Sequence, residues 1–436
     1  MLFELIIFFH EGGHFVAAKK SGVKVNEFAL GMGPKLFSFK KGETTYSLRL
    51  FPIGGYCAME GEDGESDNPR AFNNVPIYKR MIIVVAGAVM NILFGLVLML
   101  ITLIPKESFT TTTVDQFVPY SYSAATGLEQ GDKIVEINGY RTYTSTDFSF
   151  ALYTLPLSEV SGDELSIYKE DCLYQLYSHY HDSVDFSTSQ ETIENVYKTW
   201  EEGANAIFDA TEKEQAYTLM CEYYDKIDIA AGKEKSDSYP KIKEKETRKR
   251  YRTDMKVIRD GKEIELKNVD LFTYLPADSD EPTLSIDFYV KPLEKNFGTL
   301  LSQTFSQTVS TVRMVWGSLI GLVKGQFSIN DVSGPVGLAS AITDVASQSL
   351  KEGFMSAVNS IVYVMMVITV NLGIVNMLPF PALDGGRFLL LIIEAIFKKP
   401  IPRKVESVIN AVGMVLLLSL MFVITVKDIW KLFSGG

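Results

Sequence analysis

The chain has 436 residues, of which 47% are apolar, and it carries a net charge of −11. Its apolar residues are gathered into blocks long enough to cross a bilayer, and such blocks indicate membrane spans rather than an ordinary soluble domain. The negative charge comes from one segment, Leu157 to Pro240, with 19 acidic and 6 basic residues. This balance is typical of a water-facing segment and argues against a nucleic acid as partner.

The first predicted element, residues 1–20, is an apolar helix that crosses the membrane and carries ionisable side chains. Because ionisable residues are costly at membrane depth, their presence here indicates a functional site. A secretory signal peptide is the alternative, but no basic n-region and no small-residue cleavage site precede the histidines. Only nine residues precede His10, which gives a short span at about 1.5 Å per residue and leaves open a start further upstream.

The first helix contains the sequence His10-Glu11-Gly12-Gly13-His14. Two imidazoles four residues apart lie on one face of a helix and can bind one Zn²⁺ together. Glu11 then lies beside the metal, where a carboxylate can take a proton from zinc-bound water and later protonate a leaving amine. Two buried structural histidines are the alternative. Adjacent glycines, however, weaken a helix by about 1 kcal/mol each, which suggests that another backbone approaches closely here.

A β region and a second span are predicted next. Residues 21–77 alternate between apolar and polar around glycine-rich turns, which predicts a membrane-associated β-hairpin or small sheet on the cytoplasmic side. Residues 78–105 form the second predicted span. Its stretch from Met81 to Ile104 is apolar for longer than the roughly 20 residues that a bilayer core demands.

The following region is predicted to lie in water and to consist of a small domain with an insertion. Residues 106–156 and 253–295 contain short strands around Asn-Gly and Asp-Gly turns and look like two halves of one β-rich domain. Residues 157–252 separate the halves, and their acidic, tyrosine-containing sequence predicts helices rather than disorder. Its closing run KIKEKETRKRYR is either a solvated basic face or a contact for an anionic surface.

The remaining predicted elements return to the membrane. Residues 296–325 are predicted to form an amphipathic helix at the interface, followed by a connecting segment at 326–356. The third span is predicted at 357–390 and the fourth at 408–427, with a cytoplasmic loop at 391–407 between them and a tail at 428–436.

The third span supplies a further candidate metal ligand. A catalytic zinc takes three protein ligands, and Asp384 is a lone carboxylate at membrane depth just beyond a Pro-x-Pro break. We predict that Asp384 is the third ligand, and the alternative is that it caps the following helix. Asn371 and Asn376 could hydrogen-bond a substrate backbone or a developing oxyanion, or join neighbouring helices as polar contacts.

Lysines and arginines beside the spans predict the orientation of the chain, because such residues favour the cytoplasmic side. The basic segments are the one between the first two spans and the one between the last two. An even number of spans then places both termini and the 106–295 region on the opposite side. The flanking residues are Lys19, Lys20, Lys24, Lys35, Lys40, Lys41, Lys79, Arg80, Lys398, Lys399, Arg403 and Lys404.

Several motifs occur together in a fixed order: HEGGH in the first span, GMGP in the β region, AGAVMN in the second span and NMLPFPALDGG in the third. With a PDZ-like domain between the second and third, the chain resembles the site-2 protease family of M50-type metalloproteases. The order of its parts is similar to the bacterial regulator of sigma E protease group. It departs from the family at Gly12, where a bulky apolar residue is usual, and at Ala88, where proline is common.

The resemblance implies a Zn²⁺-dependent protease of the bacterial cytoplasmic membrane. Its substrates would be single-span membrane proteins cut within the bilayer, such as an anti-sigma factor or a signal-peptide remnant. An edge strand of the β region would pair with the unwound substrate helix. By resemblance, the zinc ligands are His10, His14 and Asp384, the catalytic base is Glu11, and the residues near the substrate are Asn371, Asn376, Gly54, Gly55 and Tyr56.

The predicted fold is a polytopic α-helical membrane protein with about four transmembrane helices. It has a membrane-associated β-hairpin and an extracytoplasmic PDZ-like α+β domain that carries a helical insertion. The insertion makes peptide binding by that domain doubtful, and we prefer a size filter against bulky extracellular domains. A zinc transporter would spread its ligands over more helices, an inactive adaptor would not need Glu11, and an exposed zincin would not need apolar flanks.

Overall fold

The computed structural model describes residues 2–62, 64, 66–118, 121–154, 157–160, 164–184, 189–236, 238–242, 248–271, 273–274, 283–284, 286–327 and 332–434. Two compact units divide the chain: one consists of Met1–Phe109 and Glu294–Gly436, and the other is Thr110–Leu293. Part of the basic run that closes the predicted insertion lies outside the described residues.

The helices of the described chain, α1 to α12, are Leu2–Ser21, Ile77–Leu103, Tyr122–Ala125, Ser145–Tyr153, Glu164–Ser183, Gln190–Asp209, Lys213–Ala230, Phe297–Val323, Pro335–Glu352, Phe354–Asn376, Asp384–Phe397 and Arg403–Ser434. The strands, β1 to β11, are Val25–Lys41, Thr44–Met59, Ser108–Phe117, Lys133–Ile137, Tyr140–Arg141, Leu157–Val160, Arg248–Arg259, Lys262–Leu271, Thr273–Tyr274, Thr283–Leu284 and Phe288–Glu294.

Three helices in the described part of the chain are long and apolar enough to cross a membrane: α2, α10 and the Lys404–Trp430 part of α12. The first predicted span forms helix α1, but this helix is not among the three. It carries Glu4, Glu11, Lys19 and Lys20 within its 20 residues. The four-span arrangement therefore stays a prediction.

Helix α2 lies between α1 and α10, and small residues set the contacts. A Cβ added at Gly13 of α1 would lie 2.3 Å from the carbonyl oxygen of Ala86, and one added at Gly373 of α10 would lie 3.0 Å from that of Ala88. Small residues at helix interfaces let backbones approach closely inside a membrane, where burial of apolar side chains gives little driving force. Glycine at these positions thus brings the three helices together.

The third predicted span, residues 357–390, is not one helix. Helix α10 ends at Asn376 and α11 begins at Asp384. Pro379 and Pro381 account for the break, because proline lacks a backbone N–H and its ring clashes with the carbonyl four residues earlier. The intervening turn holds Ala382 at a φ of 73°, in the left-handed region.

Three segments that were predicted as loops or tail contain helix. The 326–356 segment contains α9, framed by Pro335 in its first turn and Gly353 after its last. The predicted loop at 391–407 begins with the end of α11, which stops only where Lys398 adopts a φ of 50°. The predicted tail at 428–436 continues α12 as far as Ser434, because no proline or glycine interrupts the helix after Gly413.

Helix α8 corresponds to the predicted amphipathic helix at 296–325, but its faces are reversed compared with a soluble helix. Its buried side carries Thr304, Thr308 and Thr311, whereas its exposed side carries Phe305 and Trp316. Each of the three threonine hydroxyls donates to a carbonyl of its own helix. A helix with polar groups inside and apolar groups outside is suited to lipid contact.

Strands β1 and β2 form an irregular two-stranded sheet. The first part of β1 has partners on both sides, since Phe28 pairs with both Tyr46 and Cys57. Phe28 and Cys57 are buried in one core with Ile83 of α2, which fixes the base of the sheet to the helices. Toward the far end, large apolar side chains are exposed: Met32, Leu36, Phe37, Phe39, Leu50 and Phe51.

In the second unit, strands from both halves of the predicted β-rich domain share one sheet, in the order β11-β3-β4-β7-β6, with β5 on β4 and β8 on β7. The predicted insertion at 157–252 is too long at both ends, because Leu157–Val160 pairs with Arg248–Tyr251 inside this sheet. Helices α5 to α7 lie between these strands. Their own core contains Leu176, Trp200, Ile207, Met220 and Ile227.

Candidate metal centre

Three ionisable side chains converge where α1, α2 and the start of α11 meet. His10 Nε2 lies 3.2 Å and His14 Nε2 lies 3.3 Å from Asp384 Oδ2, and the two Nε2 atoms are 3.3 Å apart. Both histidines are 8% exposed. The structure thus brings together the three residues that the sequence predicts as ligands, although α1 and α11 are far apart in the chain.

Local sequence explains how each element delivers its side chain. His10 and His14 are four residues apart on α1 and therefore share one face. Asp384 is the first residue of α11, and the glycines after it are needed. A Cβ at Gly385 would lie 2.3 Å from the carbonyl oxygen of Leu378, and one at Gly386 would lie 2.3 Å from that of Phe380. Only glycine lets the start of α11 pack so closely on the turn before it.

The spacing of the three atoms fits a metal ion. Zinc holds nitrogen and oxygen ligands at about 2.0–2.1 Å in a tetrahedron, which separates neighbouring ligand atoms by about 3.3–3.4 Å. The observed separations of 3.2, 3.3 and 3.3 Å match this triangle. Asp384 Oδ2 is also buried without a well-formed hydrogen bond among the described residues. Three protein ligands would leave a fourth position for water or substrate, as catalytic zinc sites require.

Helix α2 supports both imidazole rings from behind. His14 Nδ1 donates to the carbonyl oxygen of Ile83 at 2.8 Å, and the amide of Asn91 lies 3.2 Å from His10 Nδ1. A Cβ at Gly87 would lie 2.3 Å from His14 Nε2 and 2.7 Å from His10 Cε1, so the rings lie directly over this glycine. The sequence did not predict a role for Gly87 or Asn91 at the site. A polar residue such as Asn91 within an apolar span was nevertheless a sign of one.

The two asparagines of α10 differ in their surroundings. Asn376 Nδ2 lies 3.4 Å from His10 Nε2, at the edge of the candidate metal centre. Asn371 is exposed and makes no contact with the three ligands among the described interactions. The structure therefore brings only Asn376 to the centre.

Strand β2 passes beside the helix that carries Glu11. A Cβ at Gly55 would lie 3.5 Å from Glu11 Cγ and 3.1 Å from Ile7. Gly54 has a φ of 83°, in the left-handed region that favours glycine. The described pairs of Gly55–Met59 involve one neighbour only, the Val25–Leu30 part of β1, so this part of β2 is an edge.

An ion cluster stiffens the sheet next to that edge. Arg49 donates to Glu27 at 3.0 Å and also to the Tyr56 hydroxyl. Burial alone would raise the pKa of Glu27, but hydrogen bonds from Ser47, Lys35 and Arg49 outweigh it and lower the pKa to about 2. Since the ordinary value is 4.5, the cluster stabilises the sheet fully above that pH and weakens as the pH falls toward 2.

A cavity of about 570 Å³ opens beside Asp384, and polar and apolar side chains line it in similar measure. Arg387 of α11 contributes to it and forms an ion pair with Glu62 at 2.5 Å, while Glu406 of α12 lies 3.9 Å from the same guanidinium. The cavity therefore gives water access to Asp384. The sequence did not predict these residues at the site, although Arg387 follows Asp384 by three positions.

Comparison with known proteins places the chain in a family, since the model of peptidase family M50 matches residues 1–420. The chain belongs to this family. It is 30% identical to the regulator of sigma-W protease RasP of Bacillus subtilis over 99% of this chain and 97% of that protein. It is also 30% identical to the zinc metalloprotease RasP of Bacillus licheniformis, over 99% of this chain and 98% of that protein.

A zinc metalloprotease RasP of Geobacillus kaustophilus shows 29% identity over 99% of this chain and 97% of that protein. The predictions of an M50-type site-2 protease, of metalloprotease activity and of Zn²⁺ as cofactor are confirmed. The apolar helices of the chain and its membership of family M50 identify it as an integral membrane protein.

Proposed function

We propose that this M50 peptidase is an intramembrane endopeptidase that cleaves the transmembrane segments of single-span membrane proteins. One observation carries the proposal: two imidazoles and a carboxylate converge with tetrahedral ligand spacing against α2, a helix long and apolar enough to cross a membrane. Metal ligands beside such a helix make sense for an enzyme whose substrate is itself within the membrane. An exposed protease would not need apolar flanks around its site.

In the proposed mechanism His10, His14 and Asp384 hold the zinc ion. Bound zinc polarises a carbonyl group and lowers the pKa of water toward neutrality. Glu11, the neighbour of His10, accepts a proton from the attacking water and later gives one to the leaving amine. Asn376, 3.4 Å from His10 Nε2, is suited to donate a hydrogen bond to a substrate carbonyl oxygen. We assign Asn371 to the substrate path along α10, farther from the metal.

The edge of β2 is the proposed substrate platform. A peptide bond within a helix is shielded, so the substrate must be extended before water can reach it. Added as a strand beside Gly54, Gly55 and Tyr56, the extended substrate would regain backbone hydrogen bonds. The closeness of Gly55 to Glu11 supports this arrangement, because a strand held there would lie next to the catalytic base.

We further propose a location and a role for the second unit. The basic flanks predict that it faces the outside of the bacterial cytoplasmic membrane. There the PDZ-like sheet and the helices α5 to α7 would act as a filter that excludes membrane proteins with bulky outer domains. The name of the Bacillus subtilis relative, regulator of sigma-W protease, supports a regulatory membrane protein such as an anti-sigma factor as the natural substrate.

Two substitutions test the mechanism. Glu11→Gln should retain zinc and lose cleavage of a co-expressed single-span substrate, because it removes the base and no ligand. Asp384→Ala should lose both zinc and cleavage. Zinc is measured on purified full-length protein by elemental analysis, and cleavage by gel mobility.

The matched control is Glu4→Gln, which removes another carboxylate from α1 and should change neither result. Cleavage by the Glu11→Gln variant at the wild-type rate would rule out the mechanism.

A further inference from the structure

Both imidazoles of the candidate metal centre use their two nitrogens in the same way. Each turns Nε2 toward Asp384 and Nδ1 toward helix α2. For His14 the partner of Nδ1 is the carbonyl oxygen of Ile83, which can only accept. His14 Nδ1 therefore carries the hydrogen, and Nε2 of the neutral ring keeps its lone pair for a metal ion.

For His10 the partner of Nδ1 is a side chain. The amide of Asn91 lies 3.2 Å from Nδ1, and Asn91 is fully buried in the middle of α2. A buried amide is costly unless it is hydrogen-bonded. Asn91 Oδ1 has no partner among the described residues, and Nδ2 is the end that faces the ring. The oxygen and the NH₂ group of an amide have nearly the same shape, so hydrogen bonding decides which end faces the ring.

A metal ion on Nε2 decides the orientation. With that lone pair in use, the neutral ring carries its hydrogen on Nδ1 and must donate. If Asn91 Nδ2 faced this ring, two N–H donors would point at each other. Rotating the Asn91 amide by half a turn instead places Oδ1 where it can accept the hydrogen of His10 Nδ1. In either orientation one end of the Asn91 amide has no partner among the described residues. The hydrogen bond with His10 Nδ1 therefore decides which orientation is favoured.

We infer that Asn91 is a positioning residue for the zinc ligand His10, accepting a hydrogen bond from His10 Nδ1 through its side-chain oxygen. This inference rests on the zinc site proposed above. The hydrogen bond fixes the ring orientation and the form of the imidazole that binds metal, and it increases the basicity of Nε2. Asn91 thus does for His10 what the carbonyl of Ile83 does for His14.

A purely structural role is the competing explanation, because α10 packs against the same residue. Thr369 Oγ1 donates to the backbone carbonyl oxygen of Asn91 at 3.4 Å, and a Cβ at Gly373 would lie 3.2 Å from Asn91 Cβ. Neither contact uses the amide group. A side chain of similar size without an acceptor would therefore preserve the packing and lose the hydrogen bond.

The test is the zinc affinity of the full chain in detergent, measured with zinc alone in competition with a chelating dye. Asn91→Leu should weaken zinc binding by about 10- to 100-fold, the usual effect of losing such a partner. Asn91→Asp, whose carboxylate also accepts from Nδ1, should bind zinc at least as tightly as the wild type. The control is Thr102→Val, which removes a buried hydroxyl of α2 that donates to the carbonyl oxygen of Leu98 and should leave zinc affinity unchanged.

Each result decides a different question. Unchanged affinity in Asn91→Leu, or equal losses in the Leu and Asp variants, overturns the role of Asn91. If Asn91→Leu does not fold, as judged by thermal unfolding of the metal-free protein, Asn91→Ala takes its place with the same expected loss. If the wild type binds zinc no better than Asp384→Ala, the proposed metal site fails, and the inference fails with it.

Discussion

Glycine residues determine how closely the candidate metal centre is enclosed. Gly13 of α1 lies against the backbone of Ala86, and Gly87 of α2 lies under the rings of His10 and His14. The sequence suggested that Gly12 and Gly13 allow another backbone to approach, and Gly13 does so. Gly12 faces open space, since a Cβ there would meet no atom within 4 Å.

Substitution of Gly87 by alanine should damage the metal site directly. The added methyl group would lie 2.3 Å from His14 Nε2, so the imidazole must move or the helices must separate. We expect zinc affinity to fall by at least the roughly 10- to 100-fold seen when supporting contacts of a metal ligand are lost. The measurement is chelator competition on the purified protein.

Gly12→Ala provides the control on the facing helix. Its methyl group enters open space, and alanine favours a helix over glycine by about 1 kcal/mol. Zinc affinity should stay at the wild-type level. Equal zinc affinity in Gly87→Ala and Gly12→Ala would contradict the described packing of the rings.

The residues of the centre were predictable to different degrees. His10, Glu11 and His14 form a local pattern whose helical spacing has a direct chemical meaning. Asp384 was recognisable because a carboxylate is energetically costly at membrane depth, so its presence there indicates a function. The contacts of Asn91 and Gly87 join residues about 80 positions apart, and helix packing creates them. No spacing in a single sequence reveals such a pairing.

At the scale of elements, α12 braces the turn that carries Asp384. A Cβ at Gly413 would lie 2.4 Å from Pro381 Cβ and 2.6 Å from the carbonyl oxygen of Pro381. Asn410 Oδ1 accepts from the backbone N–H of Ala382 at 3.4 Å, and Ala382 is the residue with a φ of 73°. Contact with α12 therefore helps to hold the strained turn in the shape that presents the carboxylate.

Gly413→Val should push α12 off this turn. Although valine has the higher helix propensity, its branched side chain cannot fit against Pro381. We expect weaker zinc binding and slower cleavage, with the helix itself still formed. Chelator competition and substrate cleavage measure the two effects.

The control for this element is Val412→Ala, which changes an exposed side chain one position earlier. It should leave both quantities unchanged. Wild-type zinc affinity in Gly413→Val would show that α12 does not support the metal site.

Long apolar helices were the most predictable elements, whereas interrupted or modestly apolar ones were not. Helix α9 was missed although Pro335 and Gly353 mark its ends, because its alternating small and polar residues resemble a linker. The amphipathic pattern of α8 was recognised, but periodicity alone does not tell which face is buried. Burial of its threonines depends on the surrounding helices.

At the scale of the whole molecule, the helical insertion enters and leaves through paired strands. Val160 of β6 pairs with Arg248 of β7, so the two ends of the insertion are neighbours in the sheet. Helices α5 to α7 also have a core distinct from the core of the sheet. The insertion therefore has a core of its own, and Tyr122 and Tyr289 of the domain that carries it contact it through hydrogen bonds.

Replacing residues 161–247 by a two-residue Asn-Gly turn should leave the sheet folded, since that turn suits paired antiparallel strands. If the insertion is a size filter, the shortened protein should keep its zinc and its activity on a substrate with a small outer domain. It should also gain activity on a substrate with a bulky outer domain. Cleavage of both substrates is compared with that of the full chain.

Glu11→Gln in the shortened protein controls for cleavage by other proteases and should be inactive. If the shortened protein cleaves the substrate with the small outer domain normally but still does not cleave the one with the bulky outer domain, the insertion is not a size filter.

The helix-rich membrane class of the chain was predictable from the distribution of its apolar residues, and the sharing of one sheet by two distant segments followed from their turn motifs. The limits of the insertion were misjudged because short strands such as Leu157–Val160 are recognised only through their partners. The β2 edge beside Glu11 likewise depends on how the sheet lies on α1.

The most direct test of the central claim is X-ray absorption spectroscopy of zinc bound to a His179→Ala/His181→Ala double variant, in which His10 and His14 are the remaining two of the four histidines. We predict a first shell of nitrogen and oxygen at about 2.0–2.1 Å that includes two imidazoles. A sulfur ligand at about 2.3 Å, or the absence of imidazole scattering, would show that the metal lies elsewhere and contradict the account.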